Sequence, residues 1–372
     1  MSGRFFRRKF CWDIEKLSFL WYNPPKAYGK GSILMKKLFG IRSDGQEAYS
    51  YTITGGGLTA EISDHGATIL RLWVPDKKGN LADVILGFDT PDAYDASDTH
   101  TGAVVGRSCN RTRRGQFTLN GKTYQLDINN GNNSLHGGFN PYKNRLWTLV
   151  RLEENCIAFS LHSPDGDQGF PGNADIRVTY TLESPGTLRI TYDAICDQDT
   201  VFNLTNHSLF NMAGHDKPEK AMDQILTMPA RFFTVADEES IPTGENRSVE
   251  GTPMDFRTPK PIGRDINADY EPLHLQKGYD HNFEMFTDPG IILTDPESGR
   301  TMAISTDCPG VHFYAGNYLD GPVGKDDVIY TYRGGVALET QFYPDAVNHP
   351  EWPSPVVKAG TPYHSETLYK FS

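Results

Sequence analysis

The segment DIRVTYTLESPGTLRITYDAI constrains the fold more than any other part of this chain. Ile176, Val178, Tyr180 and Leu182 alternate with polar residues, Ser184-Pro185-Gly186 supplies a turn, and Leu188, Ile190, Tyr192 and Ala194 alternate again. Side chains switch faces at every residue of a strand, so this pattern predicts a hairpin with one buried face. GQFTLNGKTYQLDI predicts another, with Asn120-Gly121 providing the positive φ angles of a type I′ turn. Further short strands are predicted at 50–54, 58–62, 68–74, 148–152, 156–162, 291–293, 301–305, 311–316 and 335–341. Helical periodicity of any length is scarce. With 36 glycines and 24 prolines to make turns, the expectation is an all-β chain folded as a large antiparallel sandwich. TGGGL at 54–58 precedes no helix and reads as a turn. Two turn-rich stretches, 213–280 and 317–334, are expected as excursions around the rim.

Composition after residue 50 does not shift enough to mark a second domain. Residues 1–40 differ, carrying nine Lys/Arg against Asp13 and Glu15, which leaves −18 on the remainder (−11 minus +7). Charges interrupt any apolar run there and no small-residue cleavage site follows, which argues against a secretory signal. The expectation is a basic extension over 1–40, poorly ordered or lying upstream of a start at Met35, followed by one domain over 41–372. A net charge of −11 argues against a nucleic-acid binder, and no run approaches the ~20 apolar residues of a membrane span. Cys11, Cys109, Cys156, Cys196 and Cys308 are odd in number and lack C-x-x-C spacing. That fits a reducing, cytoplasmic setting, with neither a disulfide framework nor a zinc site.

The common zinc-protease, serine-hydrolase, Walker A and strand-linked G-x-G-x-x-G signatures are missing. What remains is polar groups placed inside apolar or turn segments. Asn110 and Arg111 follow the run VVGRSC; His136 sits between Leu135 and two glycines; Asn206 and His207 interrupt VFNLTNHSLFNM; Asp280 lies in KGYDHNFE. Glu339 is flanked by Val336, Ala337 and Leu338, where an unpaired carboxylate is costly to bury, so it should line a cavity or meet a donor. Taken singly, each has an ordinary structural explanation. Together, an Arg, two His, an Asp and a Glu at strand ends can converge on one rim, forming donors and acceptors suited to a polyhydroxylated ligand.

The ordered segments GRSCNRTRRGQFTLNGKTYQL, NNSLHGG, NLTNHSLFNMAG, PTGENRSVEGTPMDFR, GYDHNF, PGVHFYAGNYLDG and ALETQFYPDAVNHP resemble those of aldose 1-epimerases (galactose mutarotases), from roughly residue 45 to the C-terminus. The resemblance implies a mutarotase-like supersandwich with an open sugar-binding cleft and no cofactor. It implies interconversion of the α and β anomers of free aldohexoses, galactose and glucose. By the same resemblance Glu339 is the general base and His207 the general acid. Arg111 and His136 hold sugar hydroxyls or the ring oxygen, Asp280 binds two hydroxyls, and Asn110 adds a polar contact. His312 stands where the family often has Gln, which bears on sugar preference. An unperturbed Glu near 4.3 is a ready base, and a neighbouring carboxylate can keep a His near 6.5 protonated. The expected partner is a monosaccharide, with no nucleic acid or membrane, acting on a monomer or weak homodimer. The alternatives are a hexose 6-phosphate, a pentose or maltose as substrate, or a non-catalytic carbohydrate-binding sandwich. A phosphate would want a basic cluster, for which Arg113, Arg114 and Lys143 are the candidates.

Overall fold

The computed structural model of the chain describes residues 36–285 and 290–372. Among the described residues, the strands form three large antiparallel sheets and several two-stranded ribbons. The hairpin read from period-two alternation lies within the largest sheet. Ala174–Glu183 pairs with Thr187–Cys196, setting Ile176 opposite Ala194 and Val178 opposite Tyr192. The nine-stranded order is Thr148–Glu153, Cys156–Ser163, the two hairpin strands, Tyr363–Phe371, Thr301–Thr306, Ile291–Thr294, Ile225–Thr227 and Lys260–Pro261. A five-stranded sheet follows chain order through Lys36–Ile41, Glu47–Gly55, Leu58–Ser63, Ile69–Pro75 and Leu81–Asp83. A six-stranded sheet runs Leu209–Phe210, Val336–Gln341, Gly310–Tyr314, Asp280–Glu284, Phe232–Ala236 and Pro242–Ser248.

Alternate residues of all three sheets meet in one core. Ile53, Ile62 and Leu72 come from the five-stranded sheet, Val178, Tyr180 and Ile190 from the nine-stranded one, and Phe283, Phe313 and Leu338 from the six-stranded one. Burying each such side chain contributes about 1.5–3 kcal/mol, which is why the alternation specifies the register. Tyr180, buried in the nine-stranded sheet, satisfies its hydroxyl by donating to Ala67 O at 2.6 Å beside the five-stranded sheet. The all-β sandwich expected from the sequence is the fold observed. Asn120 and Gly121 have φ of 53° and 77°, as their hairpin requires, and Gly56-Gly57 forms the turn inside TGGGL.

Two expectations need correction. Lys36–Ile41 is a strand, pairing Lys37 with Ser50 and Leu38 with Tyr49, so the sandwich begins by Lys36 rather than at 41. The strand lies mostly exposed at a sheet edge, so it carries no alternation to reveal it; residues 1–35 of the expected extension lie outside the described residues. The stretch 213–280 is more than a rim excursion. It contributes Ile225–Thr227, Phe232–Ala236 and Pro242–Ser248 to the sheets and buries Phe233, Met254 and Phe256 in the core. These strands are too short, and too interrupted by turns, for a period of two to stand out.

Candidate active site

On central strands, alternation sets polar groups against apolar ones. In Val336–Gln341, Val336 and Leu338 join the main core, while Ala337, Glu339 and Gln341 face the other way. The register places Glu339 opposite His312 and His312 opposite Asn282, so these three project from one face. Asp280 and Tyr314, each two residues along its strand, share that face. The six-stranded sheet therefore turns Phe283, Phe313 and Leu338 into the core and a row of polar groups away from it.

The opposing wall comes from residues 101–112 and 200–214. Thr205–Asn206 pairs with Val104–Val105, and Leu209–Phe210 pairs with Val336 and Ala337. Between these pairings, His207 N donates to Ala103 O at 3.0 Å and Gly102 N donates to His207 O at 2.9 Å. Asn206 turns away and ties the loop: its Nδ2 donates to Gly102 O at 2.8 Å and its Oδ1 accepts from Ser208 N and Oγ. Apolar flanks thus anchor the segment while His207 projects into the cleft.

Asn110 and His136 hold each other. His136 N donates to Asn110 O and Asn110 N donates to His136 Nδ1, both at 3.2 Å. Because Nδ1 accepts, the proton of neutral His136 lies on Nε2. Both residues adopt left-handed backbone (φ 58° and 51°), a conformation non-glycine residues seldom take. Gly137 follows at φ 94°, where a Cβ would lie 2.2 Å from Gly106 O, so only glycine fits. Arg111 Nε donates to Asn130 Oδ1 at 3.1 Å.

All seven residues singled out from the sequence line one cleft of about 400 Å³. Sequence reasoning missed Asp98, Thr99, Asn130, Leu135, Tyr314 and Tyr318, which line it too. Tyr314 was findable, two residues beyond His312 on the same strand; Asp98 and Thr99, on an irregular loop, left no signal. His100, behind them, sits 4.6 Å from the His136 ring and 6.1 Å from that of His207, centroid to centroid. Among the described residues, no group of His, Cys, Asp and Glu is arranged to hold a metal.

His207 Nε2 lies 3.6 Å from Glu339 Oε1, and Glu339 Oε2 is buried with no hydrogen-bond partner among the described residues. Burial pushes the Glu339 carboxyl up to about 7, with Asp280 adding to the rise and His312 and Arg111 opposing it. Burial likewise pushes His207 down to about 4, against its own backbone hydrogen bond and the charge of Asp280. Desolvation thus outweighs the Asp280 carboxylate, and the resting ring is neutral near pH 7. His136 lies well below the usual range through burial and the neighbouring charges of His100, His207, Arg111 and His312. Burial opposes ionisation of Asp280 as well, but the His312 hydrogen bond and the charges of His312 and Arg111 hold it below the usual carboxylate range.

Residues 49–370 match the model of the family described as aldose 1-epimerase. The chain belongs to that family. It is 43% identical over 320 residues to galactose mutarotase of Bos taurus, covering 85% of this chain and 91% of the bovine one. It is 39% identical to aldose 1-epimerase of Haemophilus influenzae, covering 85% and 93%. The GalM/aldose epimerase homologue from C. elegans superposes with a TM-score of 0.80 at 33% identity, over 87% of this chain and 99% of that one. The chain is thus an isomerase of the aldose 1-epimerase type, acting at the anomeric carbon of free aldoses. Among the described residues, no helix is long and apolar enough to cross a membrane.

Proposed function

We propose that the chain interconverts the α and β anomers of D-galactose and D-glucose, with Glu339 as general base and His207 as general acid. The observation that carries this reading is the 3.6 Å separation of the two groups in the cleft. Ring opening takes a proton from the C1 hydroxyl and gives one to the ring oxygen. Both oxygens are bonded to C1, so acid and base must stand side by side.

Glu339 accepts the O1 proton as the bond from C1 to the ring oxygen breaks, and His207 protonates that oxygen. The aldehyde rotates about the C1–C2 bond. On closure the oxygen attacks the other face of C1, His207 takes back its proton and Glu339 returns one to O1. No proton is gained or lost over the cycle. Each proton transfer to a positioned side chain contributes typically ~10²–10⁴-fold. Asp280 accepts from sugar hydroxyls, while Arg111 and His136 Nε2–H donate to sugar oxygens, with Asn110 beside them.

Galactose is supported by the name of the mammalian relatives at 39–43% identity. A neutral sugar is favoured over a hexose 6-phosphate because Asp98, Asp280 and Glu339 line the cleft against the single guanidinium of Arg111. Two of the cations considered for phosphate are engaged elsewhere. Lys143 Nζ donates to Tyr94 O at 2.9 Å and Ser97 O at 2.7 Å, and Arg113 pairs with Asp237 at 3.4 Å. The four described cysteines are buried and unpaired, which supports a reducing, cytoplasmic setting. The test is polarimetry of fresh α-D-galactose, α-D-glucose and α-D-glucose 6-phosphate. Acceleration of the two free hexoses well beyond the phosphate ester is expected; preference for the ester would overturn the neutral-sugar reading.

A further inference from the structure

His312 stands on the strand between those of Asp280 and Glu339, two of the carboxylates that line the cleft. On the six-stranded sheet it is the cross-strand partner of Glu339 on one side and of Asn282 on the other. Its Nε2 lies 2.7 Å from Asp280 Oδ1. A carboxylate only accepts, so Nε2 carries a proton and donates it. Its Nδ1 is buried with no hydrogen-bond partner among the described residues. Both His312 and Asp280 are less than 10% exposed, so the pair meets little solvent screening.

Resting on the proposed roles of Glu339 and His207, we propose that His312 is a positioning residue of the reaction. It clamps Asp280 in one orientation and presents its imidazole to Glu339 on the neighbouring strand, so that the hydroxyl-binding carboxylate and the base act as one unit. The clamp leaves Asp280 Oδ2 for the sugar, since Oδ1 is taken by the imidazole. The imidazole donates to Asp280 on one side, and its positive charge when present favours the ionised, base-competent form of Glu339 on the other.

The other groups facing Glu339 do not supply this link. His207 meets it from the 200–214 segment, Arg111 from the strand Arg111–Thr112, and Asp280 from two strands away. Cys109, Tyr314 and Tyr369, from three further positions, are weak acids whose own ionisation Glu339 opposes. Of the groups that favour ionised Glu339, the charge of His312 acts more strongly than that of Arg111.

The test compares the pH profile of kcat/KM for α-D-galactose mutarotation in wild type and His312→Gln. Glutamine still donates to Asp280 but carries no charge. The alkaline limb is expected to move up by roughly one pH unit in the variant. KM is expected to change less than in Asp280→Ala, where the clamped carboxylate is gone. A limb that stays in place in folded His312→Gln would overturn the proposal. The ¹³C-carboxyl NMR titration of Glu339, in wild type and in both His312→Gln and His312→Asn, reads the same coupling without catalysis. An unmoved Glu339 resonance would overturn it independently. Absence of mutarotation by wild type would instead count against the proposed function, with the Glu339 titration still deciding the role of His312.

Discussion

Glu339 is placed where its chemistry needs it and where the fold least tolerates its charge. Burial raises its carboxyl from the usual 4.5 to about 7, so the folded chain holds that proton more tightly than the unfolded one. The associated stability is fully present below about pH 4.5 and is lost as pH rises through about 7. Glu339→Gln is neutral at every pH and should therefore be more stable than wild type at pH 8, by on the order of 1–3 kcal/mol, with little difference at pH 4.5. Thermal melts at the two pH values check this; a variant less stable at pH 8 would make Glu339 a structural residue. The pair also predicts the pH dependence of the reaction. Between about 4 and 7, Glu339 and His207 together hold one proton, resting on Glu339, and the reactive arrangement moves it to His207. The kcat/KM profile of wild type is expected to be a bell with limbs near pH 4 and 7, values that belong to the pair rather than to either residue. A rate rising steadily above pH 8 would contradict it.

At the scale of elements, the site joins a rigid sheet to loops that must be tied down. Glu339, His312 and Asp280 were legible because a polar residue inside an apolar alternation is conspicuous, and the pleat dictates which face it takes. His207 was legible for the same reason. Asp98 and Thr99 were not, because nothing in their own sequence says where the loop lies. That is decided by Lys143, whose buried ammonium binds the carbonyls of Tyr94 and Ser97 at the end of the short helix Pro91–Ala96. Lys143→Met should free this loop, leaving carbonyls unpaired at a cost of about 1–3 kcal/mol. The expected outcome is a severalfold higher KM for galactose with kcat changed less, and faster hydrogen exchange across 97–102. Unchanged exchange there would show that the loop is held by other contacts. Asn110 and His136 were found in the sequence, but their left-handed backbone and mutual hydrogen bonds were not, since such geometry depends on the partner segment.

At the scale of the whole molecule, the sandwich supplies one core and leaves the outward face of the six-stranded sheet for chemistry. The long strands of the nine-stranded sheet were readable almost residue by residue, whereas the edge strand Lys36–Ile41 was hidden by its exposure. A chain beginning at Arg42 loses the edge strand and is expected to melt several degrees below one beginning at Met35. Equal melting of the two would show that the edge strand contributes nothing. The proposed reaction needs an acid and a base side by side at the anomeric carbon. The most direct measurement is the initial rate of optical-rotation change of freshly dissolved α-D-galactose with wild type and with Glu339→Gln at equal concentration. Wild type is expected to accelerate the change strongly and the variant to lose at least ~10²-fold; equal rates from the two proteins, or none above the spontaneous rate from wild type, would rule out Glu339 as the base of such a reaction.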